Sequence, residues 1–290
     1  MVEPARRKSA GNPQDVLVET DWLGQHATDA NIRIFEVDVD TTAYDQGHVA
    51  GAVGLNWKSD LQQHPVRDLL EKRQLEQLLG KYGVTSATTI VTYGDNNNWF
   101  AAWFFWLLKY YGHKDVKLVN GGRAKWIAEK RPLVTDVPTF GRGEYRAAGP
   151  DASIRALRDY VLDKVVSGNA KIIDVRSPKE YAGELLAPEN LPQEGAQRGG
   201  HIPGAQNVPW ATAVAEDGRF KPADELRAIY GGKGIDPRGE TIAYCRIGER
   251  SAHTWFVLKY LLGHERVRNY DGSWTEWGSL IGVPIETTAA

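Results

Sequence analysis

The feature that most limits how this chain can fold is a repeat. The β-type run Arg33-Ile34-Phe35-Glu36-Val37-Asp38 returns as Lys171-Ile172-Ile173-Asp174-Val175-Arg176. Gly47-His48 returns as Gly200-His201, Thr89-Ile90-Val91 as Thr241-Ile242-Ala243, Gly112-His113 as Gly263-His264, and Trp126 as Trp277. From the glycine-histidine segment onward, these ordered matches stand 151 to 153 residues apart. Near-constant spacing over ordered matches marks a duplicated unit. A chain of 290 residues has room for two domains of ordinary size.

Each copy alternates β-rich runs with helical spacing, so the expected class is α/β, with a mostly parallel sheet flanked by helices in each half. The expected units are 15–134 and 151–286, joined by a linker over 135–150. The stretch Val134 to Pro150 holds three glycines and two prolines and shows no strong apolar period, which suits a surface-running connection. Beyond it, Ile154, Leu157, Val161, Leu162 and Val165 are expected to form the buried face of a helix. Trp99 to Tyr111 is apolar nearly all round, so that helix is expected to be buried. The basic stretch Met1 to Gln14 reads as a loose tail.

A net charge of −2 gives no whole-chain attraction to nucleic acid or to an anionic membrane. The longest apolar run, Trp99 to Leu108, is far shorter than the ~20 residues of a membrane helix. A single cysteine cannot form an internal disulfide. A soluble, cytoplasmic monomer is expected. No cluster has metal-ligand spacing and no nucleotide-type glycine loop is present, so no metal or cofactor is expected.

That single cysteine carries the chemistry. Thr241-Ile242-Ala243-Tyr244 leads into Cys245-Arg246-Ile247-Gly248-Glu249-Arg250-Ser251, and a helical pattern leads out. A turn that opens a helix presents unpaired N–H groups and the positive end of the helix dipole. Gly248 either permits a positive φ or lets successive N–H groups converge on an anion. With Arg246 and Arg250 beside it, the thiol is expected to fall below its usual pKa of ~8.5 and act as a nucleophile. The first copy has Gly94-Asp95-Asn96-Asn97-Asn98 at the same turn, with no thiol and no cation, so one working site per chain is expected. His48 and His201 occur in both copies, which favours a structural role. His253 lies about two helical turns past Cys245 and is expected to point away from it. Asp174 and Arg176, at a strand end, pair with each other, support the loop or contact substrate.

Taken together, Asp174-Val175-Arg176-Ser177-Pro178-Lys179-Glu180-Tyr181, Gly200-His201-Ile202-Pro203-Gly204-Ala205, the Cys245 loop and Asp271-Gly272-Ser273-Trp274 resemble the two-domain rhodaneses, the thiosulfate sulfurtransferases. The resemblance covers about 15–286. It implies two tandem rhodanese-like domains, the first without the catalytic cysteine. It also implies transfer of the outer sulfur of thiosulfate, through a persulfide on Cys245, to a thiophilic acceptor such as cyanide, a dithiol or a partner's thiol. On this reading residues 246–251 (Arg246, Ile247, Gly248, Glu249, Arg250, Ser251) bind the substrate. Trp99, Phe100 and Trp210 wall the pocket, and Asp174 and Arg176 support the loop. The mammalian thiosulfate enzymes carry lysine where this chain has Ile247 and arginine where it has Glu180, so the anion is left to Arg246 and Arg250. The alternatives are a 3-mercaptopyruvate sulfurtransferase, against which Arg246 argues, and a non-catalytic sulfur carrier or binding protein. A phosphatase of related fold needs five residues between cysteine and arginine; four stand here.

Overall fold

The computed structural model describes residues 13–188 and 195–288; most of the tail expected over Met1 to Gln14 lies outside them. The first half holds β1 (Leu17–Val18), β2 (Ile32–Asp38), β3 (Ala52–Asn56), β4 (Thr89–Tyr93) and β5 (Val116–Val119). Their order is β1-β5-β4-β2-β3, with every pairing parallel. The second half holds β6 (Lys171–Asp174), β7 (Gln206–Asn207), β8 (Thr241–Tyr244) and β9 (Val267–Tyr270). Their order is β7-β6-β8-β9, again all parallel. The place of β1 is taken by a single parallel bridge from Arg155 to Asn269, where Leu17 pairs with Leu118 in the first half. The repeat read in the sequence is therefore a repeat of topology. Strands such as Thr241–Tyr244 are buried at every position, as expected where helices cover both faces of a parallel sheet.

The helix after β4 (Trp99–Tyr110) and the helix after β8 (Glu249–Phe256) occupy equivalent places and pack against each other. Phe105 meets Phe256 edge-on at 5.0 Å and Trp255 at 6.4 Å. On its other side the first helix meets its own sheet, where Phe104 packs edge-on against Phe35 at 5.6 Å. Two apolar partners explain why Trp99 to Leu108 is buried all round. One continuous core runs from Phe35 through Trp103 to Trp255 and Ile173, spanning both halves. Phe105→Ala is expected to cost about 3–5 kcal/mol and to lower the melting of both halves together. Two calorimetric transitions, only one of them displaced, would contradict a shared core.

The 135–150 segment contains no helix or strand, yet it is held down. Gly143 donates to the Gly80 carbonyl and Ala148 to that of Tyr111, while Tyr145 and Ala147 are buried. The helix expected to carry Ile154 and Leu157 begins only at Arg158, and Ile154, though buried, lies in the separate turn Ala152–Ile154. Leu157 is not on a buried helical face but is 57% exposed. It caps the helix Arg158–Ser167 in an extended conformation, which turns its side chain away from the face that buries Val161.

Candidate active site

Cys245 follows the last residue of β8, at the carboxyl end of the sheet, where ligands of such sheets bind. The loop after it is shaped by Gly248, whose φ is +100°. A Cβ at this position would lie 2.7 Å from the Asp271 Cα, so only glycine fits. The Gly248 N–H donates to Cys245 Sγ at 3.1 Å, and Ser251 Oγ lies 3.6 Å from the same sulfur. Cys245 N–H donates to Ser273 Oγ at 3.1 Å. The first turn of the helix Ser273–Trp277 then holds the loop from behind. Trp274 N–H donates to the Cys245 carbonyl at 3.0 Å and Thr275 N–H to that of Arg246 at 2.9 Å. A further hold comes from the other half of the chain: Arg67 Nη2 donates to the Ile247 carbonyl at 3.0 Å.

Every residue from Cys245 to Ser251 is buried, and Cys245 has no exposed surface. The Cys245 thiol donates to Glu249 Oε2 at 3.2 Å. This overturns the expectation of a depressed thiol pKa. Complete burial, and after it the Glu249 charge, push Cys245 above its ordinary value, with Arg250 pulling the other way. A thiolate and a carboxylate 3.2 Å apart would repel, so the contact with Glu249 is one in which sulfur keeps its proton.

Arg250 is also committed differently from the expectation. Its guanidinium forks onto Glu180, with both N–H···O distances 3.0 Å, and its Nε lies 3.4 Å from Glu249 Oε1. Glu180 is held in turn by a reciprocal cap with Ser177 at the start of the helix Pro178–Ala182. Burial alone would raise the Glu180 pKa, but the Arg250 hydrogen bonds and charge outweigh it and hold that carboxyl below its usual range. The fork that was expected to face an anion thus already holds an internal one. Arg246 is 1% exposed. Trp99 of the first half and Trp210 of the second meet edge-on at 4.8 Å, with the Arg250 guanidinium over Trp99 at 5.6 Å. Phe100 is buried against Trp57 at 5.3 Å, within the first half's core.

Asp174 and Arg176 pair with each other. Arg176 Nε reaches both carboxylate oxygens at 3.0 and 3.1 Å, and its guanidinium lies 4.5 Å from the Trp274 ring. Tyr244 OH donates to Asp174 at 2.7 Å and accepts from Ile202 N–H at 3.1 Å, tying the end of β8 to the glycine-histidine segment. The first half repeats this device: Tyr93 OH donates to Glu36 and accepts from Val49 N–H. His48 and His201 stack on Tyr44 and Tyr181 at 3.8 and 3.6 Å, and each ring Nδ1 bonds the carbonyl of that same tyrosine. His253 lies between Phe220 at 4.6 Å and Trp210 at 5.8 Å, and burial takes its pKa down to about 3. It is a neutral core residue.

Sequence reasoning missed Arg67 and Asn269. Asn269 Oδ1 accepts from Ser251 Oγ at 2.7 Å, and its amide donates to the Gly248 carbonyl at 3.1 Å. Neither residue stands in a motif with the cysteine. At the matching turn of the first half, Asn96, Asn97 and Asn98 have φ of 49°, 52° and 65°. Gly94 replaces the cysteine there, and a Cβ would lie 2.4 Å from the Val37 carbonyl oxygen. Among the described residues no group of His, Cys, Asp and Glu is placed to hold a metal ion, and no helix is long and apolar enough to cross a membrane.

Comparison with known proteins agrees with this fold. The Rhodanese-like domain model matches residues 19–129 and again 157–280. A protein of Saccharopolyspora erythraea named "Putative thiosulfate sulfurtransferase" is 56% identical over 273 residues, covering 94% of this chain and 96% of its own. The sulfur carrier protein TtuD of Thermus thermophilus is 54% identical over 274 residues, 93% of this chain and 96% of its own. Among solved structures, the anaerobic ergothioneine biosynthesis enzyme of Chlorobium limicola, in complex with trimethyl histidine, superposes with a TM-score of 0.83 at 25% identity. That match covers 95% of this chain and 71% of that one.

Proposed function

The chain belongs to the rhodanese family, and on that premise we propose that it is a sulfurtransferase that takes the outer sulfur of thiosulfate onto Cys245 and passes it to a thiophilic acceptor. The observation that carries this reading is one buried thiol at the end of β8, held by the Gly248 N–H in a loop that closes on the helix Glu249–Phe256. In the first step the Cys245 sulfur attacks the sulfane sulfur, the S–S bond of thiosulfate breaks, and its electron pair leaves with sulfite. The product is a persulfide, Cys–S–S⁻. In the second step a cyanide, dithiol or partner thiolate attacks the outer sulfur, and the electron pair returns to Sγ. Splitting the transfer in two removes the need for donor and acceptor to meet.

In this reading the Gly248 N–H steadies charge on sulfur, with Ser251 held beside it by Asn269, and Arg246 and the partly neutralised Arg250 supply positive charge for the sulfonate. Ile247 and Glu249 complete the loop. Trp99 and Trp210, with Phe100 behind them, keep water from the persulfide. Asp174, Arg176 and Tyr244 fix the strand end from which the loop departs. Residues 151–286 form the working half, 15–134 its scaffold and 135–150 the join. A reducing cytoplasmic setting suits a lone thiol that must remain free.

Glu180 favours a second reading. With the Arg250 fork satisfied internally, affinity for a dianionic donor is reduced, and a buried, slowly discharged persulfide suits a sulfur carrier, the role named for the Thermus relative. A 3-mercaptopyruvate donor is the third reading, against which Arg246 still argues. The deciding experiment is to incubate the protein with thiosulfate and weigh it. Gain of one sulfur atom, lost on adding cyanide and absent in Cys245→Ser, is expected. A wild-type protein that gains no sulfur sinks the thiosulfate reading. One that loads but discharges to cyanide only slowly supports the carrier.

A further inference from the structure

Cys245 presents a difficulty that the persulfide scheme does not resolve. Its sulfur must lose a proton to attack, yet it is a buried thiol with no exposed surface, so the proton has no direct route to water. The acceptor that touches it is Glu249, whose Oε2 lies 3.2 Å from Sγ and which is itself 1% exposed. Glu249 is the first residue of the helix that the loop opens, and the left-handed turn at Gly248 folds the loop back so that Cys245 Sγ reaches it. Arg250 is not explained by Glu249: its fork is already balanced by Glu180, and its distance to Glu249 is the longer 3.4 Å. Ser251 Oγ, at 3.6 Å from the sulfur and 2.7 Å from Asn269 Oδ1, is a poor rival for the proton.

Building on the sulfur-transfer reading above, we propose that Glu249 is a catalytic residue that receives the Cys245 proton as the sulfur attacks and returns it when the acceptor takes the sulfur away. In the first step the S–H bond breaks toward Glu249 Oε2, the Sγ electron pair bonds to the sulfane sulfur, and the thiosulfate S–S bond breaks with its pair on sulfite. The resulting carboxylic acid donates a hydrogen bond to the persulfide anion. In the second step the acceptor's electron pair attacks the outer sulfur, the S–S pair returns to Sγ, and the proton returns from Glu249. The buried pair keeps one proton throughout. Dianionic thiosulfate enters, dianionic sulfite leaves, and no redox partner is required. Among the described residues, charged groups near the pair include Arg250 on Glu249, Glu180 across from Arg250, Asp271 against Gly248, and Arg67 from the first half on the Ile247 carbonyl; Arg246 follows the cysteine in the chain.

The test is the pH profile of persulfide formation from thiosulfate, followed by mass, for wild type, Glu249→Gln and Glu249→Asp. Wild type should be nearly flat across the neutral range, because the proton moves within the pair. Glu249→Gln should be slower at neutral pH by about 100-fold, the lower end of what a positioned acid–base group supplies. Its rate should climb roughly 10-fold per pH unit until the thiol itself titrates. Glu249→Asp, which keeps a carboxylate, should recover part of the rate and the shallow slope. A Glu249→Gln protein with the wild-type slope and a rate within a few-fold overturns the proposal. If wild type gains no sulfur at all, it is the thiosulfate reading that has failed. The Cys245–Glu249 coupling then remains measurable by titrating thiolate absorbance. Removing the neighbouring carboxylate should move that titration to lower pH, and identical curves for wild type and Glu249→Gln overturn the proposal on their own.

Discussion

Glu180→Ala is expected to destabilise the protein by about 3–5 kcal/mol, because it leaves both arms of the buried Arg250 fork without an acceptor, with only the longer contact to Glu249 remaining. Both ends of the pair lie within the core, at 3% and 1% side-chain exposure, so water cannot substitute for the lost carboxylate. Thermal or denaturant unfolding measures the effect. The pair also sets a pH window. Glu180 has a folded pKa below its ordinary value and so holds fewer protons folded than unfolded. Its stabilisation is complete above the usual glutamate range of ~4.3 and is lost as pH falls through the lower, folded value. The unfolding free energy should therefore fall more steeply from neutral pH into the acid range for wild type than for Glu180→Gln, which has no carboxylate to protonate. Equal acid slopes in the two proteins would mean that the pair contributes nothing to stability. The same substitution bears on function. With Glu180 neutral, the Arg250 fork is available to an anion, so KM for thiosulfate should fall in Glu180→Gln even as stability drops.

The second large effect is expected at Gly248. Gly248→Ala places a methyl group 2.7 Å from the Asp271 Cα in a backbone with φ of +100°, where a side chain is strained even without the clash. The loop must move, and with it the N–H that donates to Cys245 Sγ. Losing one such donor to a developing anion typically costs 10²–10³ in rate. Persulfide formation should fall by about that factor while circular dichroism shows the sheets intact, since neither β8 nor β9 includes residue 248. A Gly248→Ala protein with normal loading would remove this N–H from the chemistry.

Local patterns made the fold readable. Thr89–Tyr93 and Thr241–Tyr244 are strands over the residues whose β-branched runs predicted them. The apolar helix after β4 was legible because a helix without a polar face has nowhere to go but inside. The cysteine and its missing counterpart were legible because duplication supplies an internal control. The electrostatics of the site were not. Arg250 and Glu180 stand 70 residues apart, and Arg67 stands 180 residues from the carbonyl it holds. No spacing rule connects such positions. The direction of the thiol's pKa followed from burial, which depends on how two halves pack rather than on which residues flank the cysteine. Loop composition alone counted the arginines; it could not show that one had already met its anion.

Gly94 has a consequence for how this molecule can change. Its backbone sits against the Val37 carbonyl so closely that any side chain would begin 2.4 Å from that oxygen. A single substitution cannot install a cysteine in the first half: its side chain would have to displace the strand that carries Val37. Meanwhile the helix beyond that turn packs against the helix Glu249–Phe256 of the second half within one shared core. The copy without a thiol buttresses the one that has it, and its backbone at Gly94 leaves no room for a side chain at the matching position.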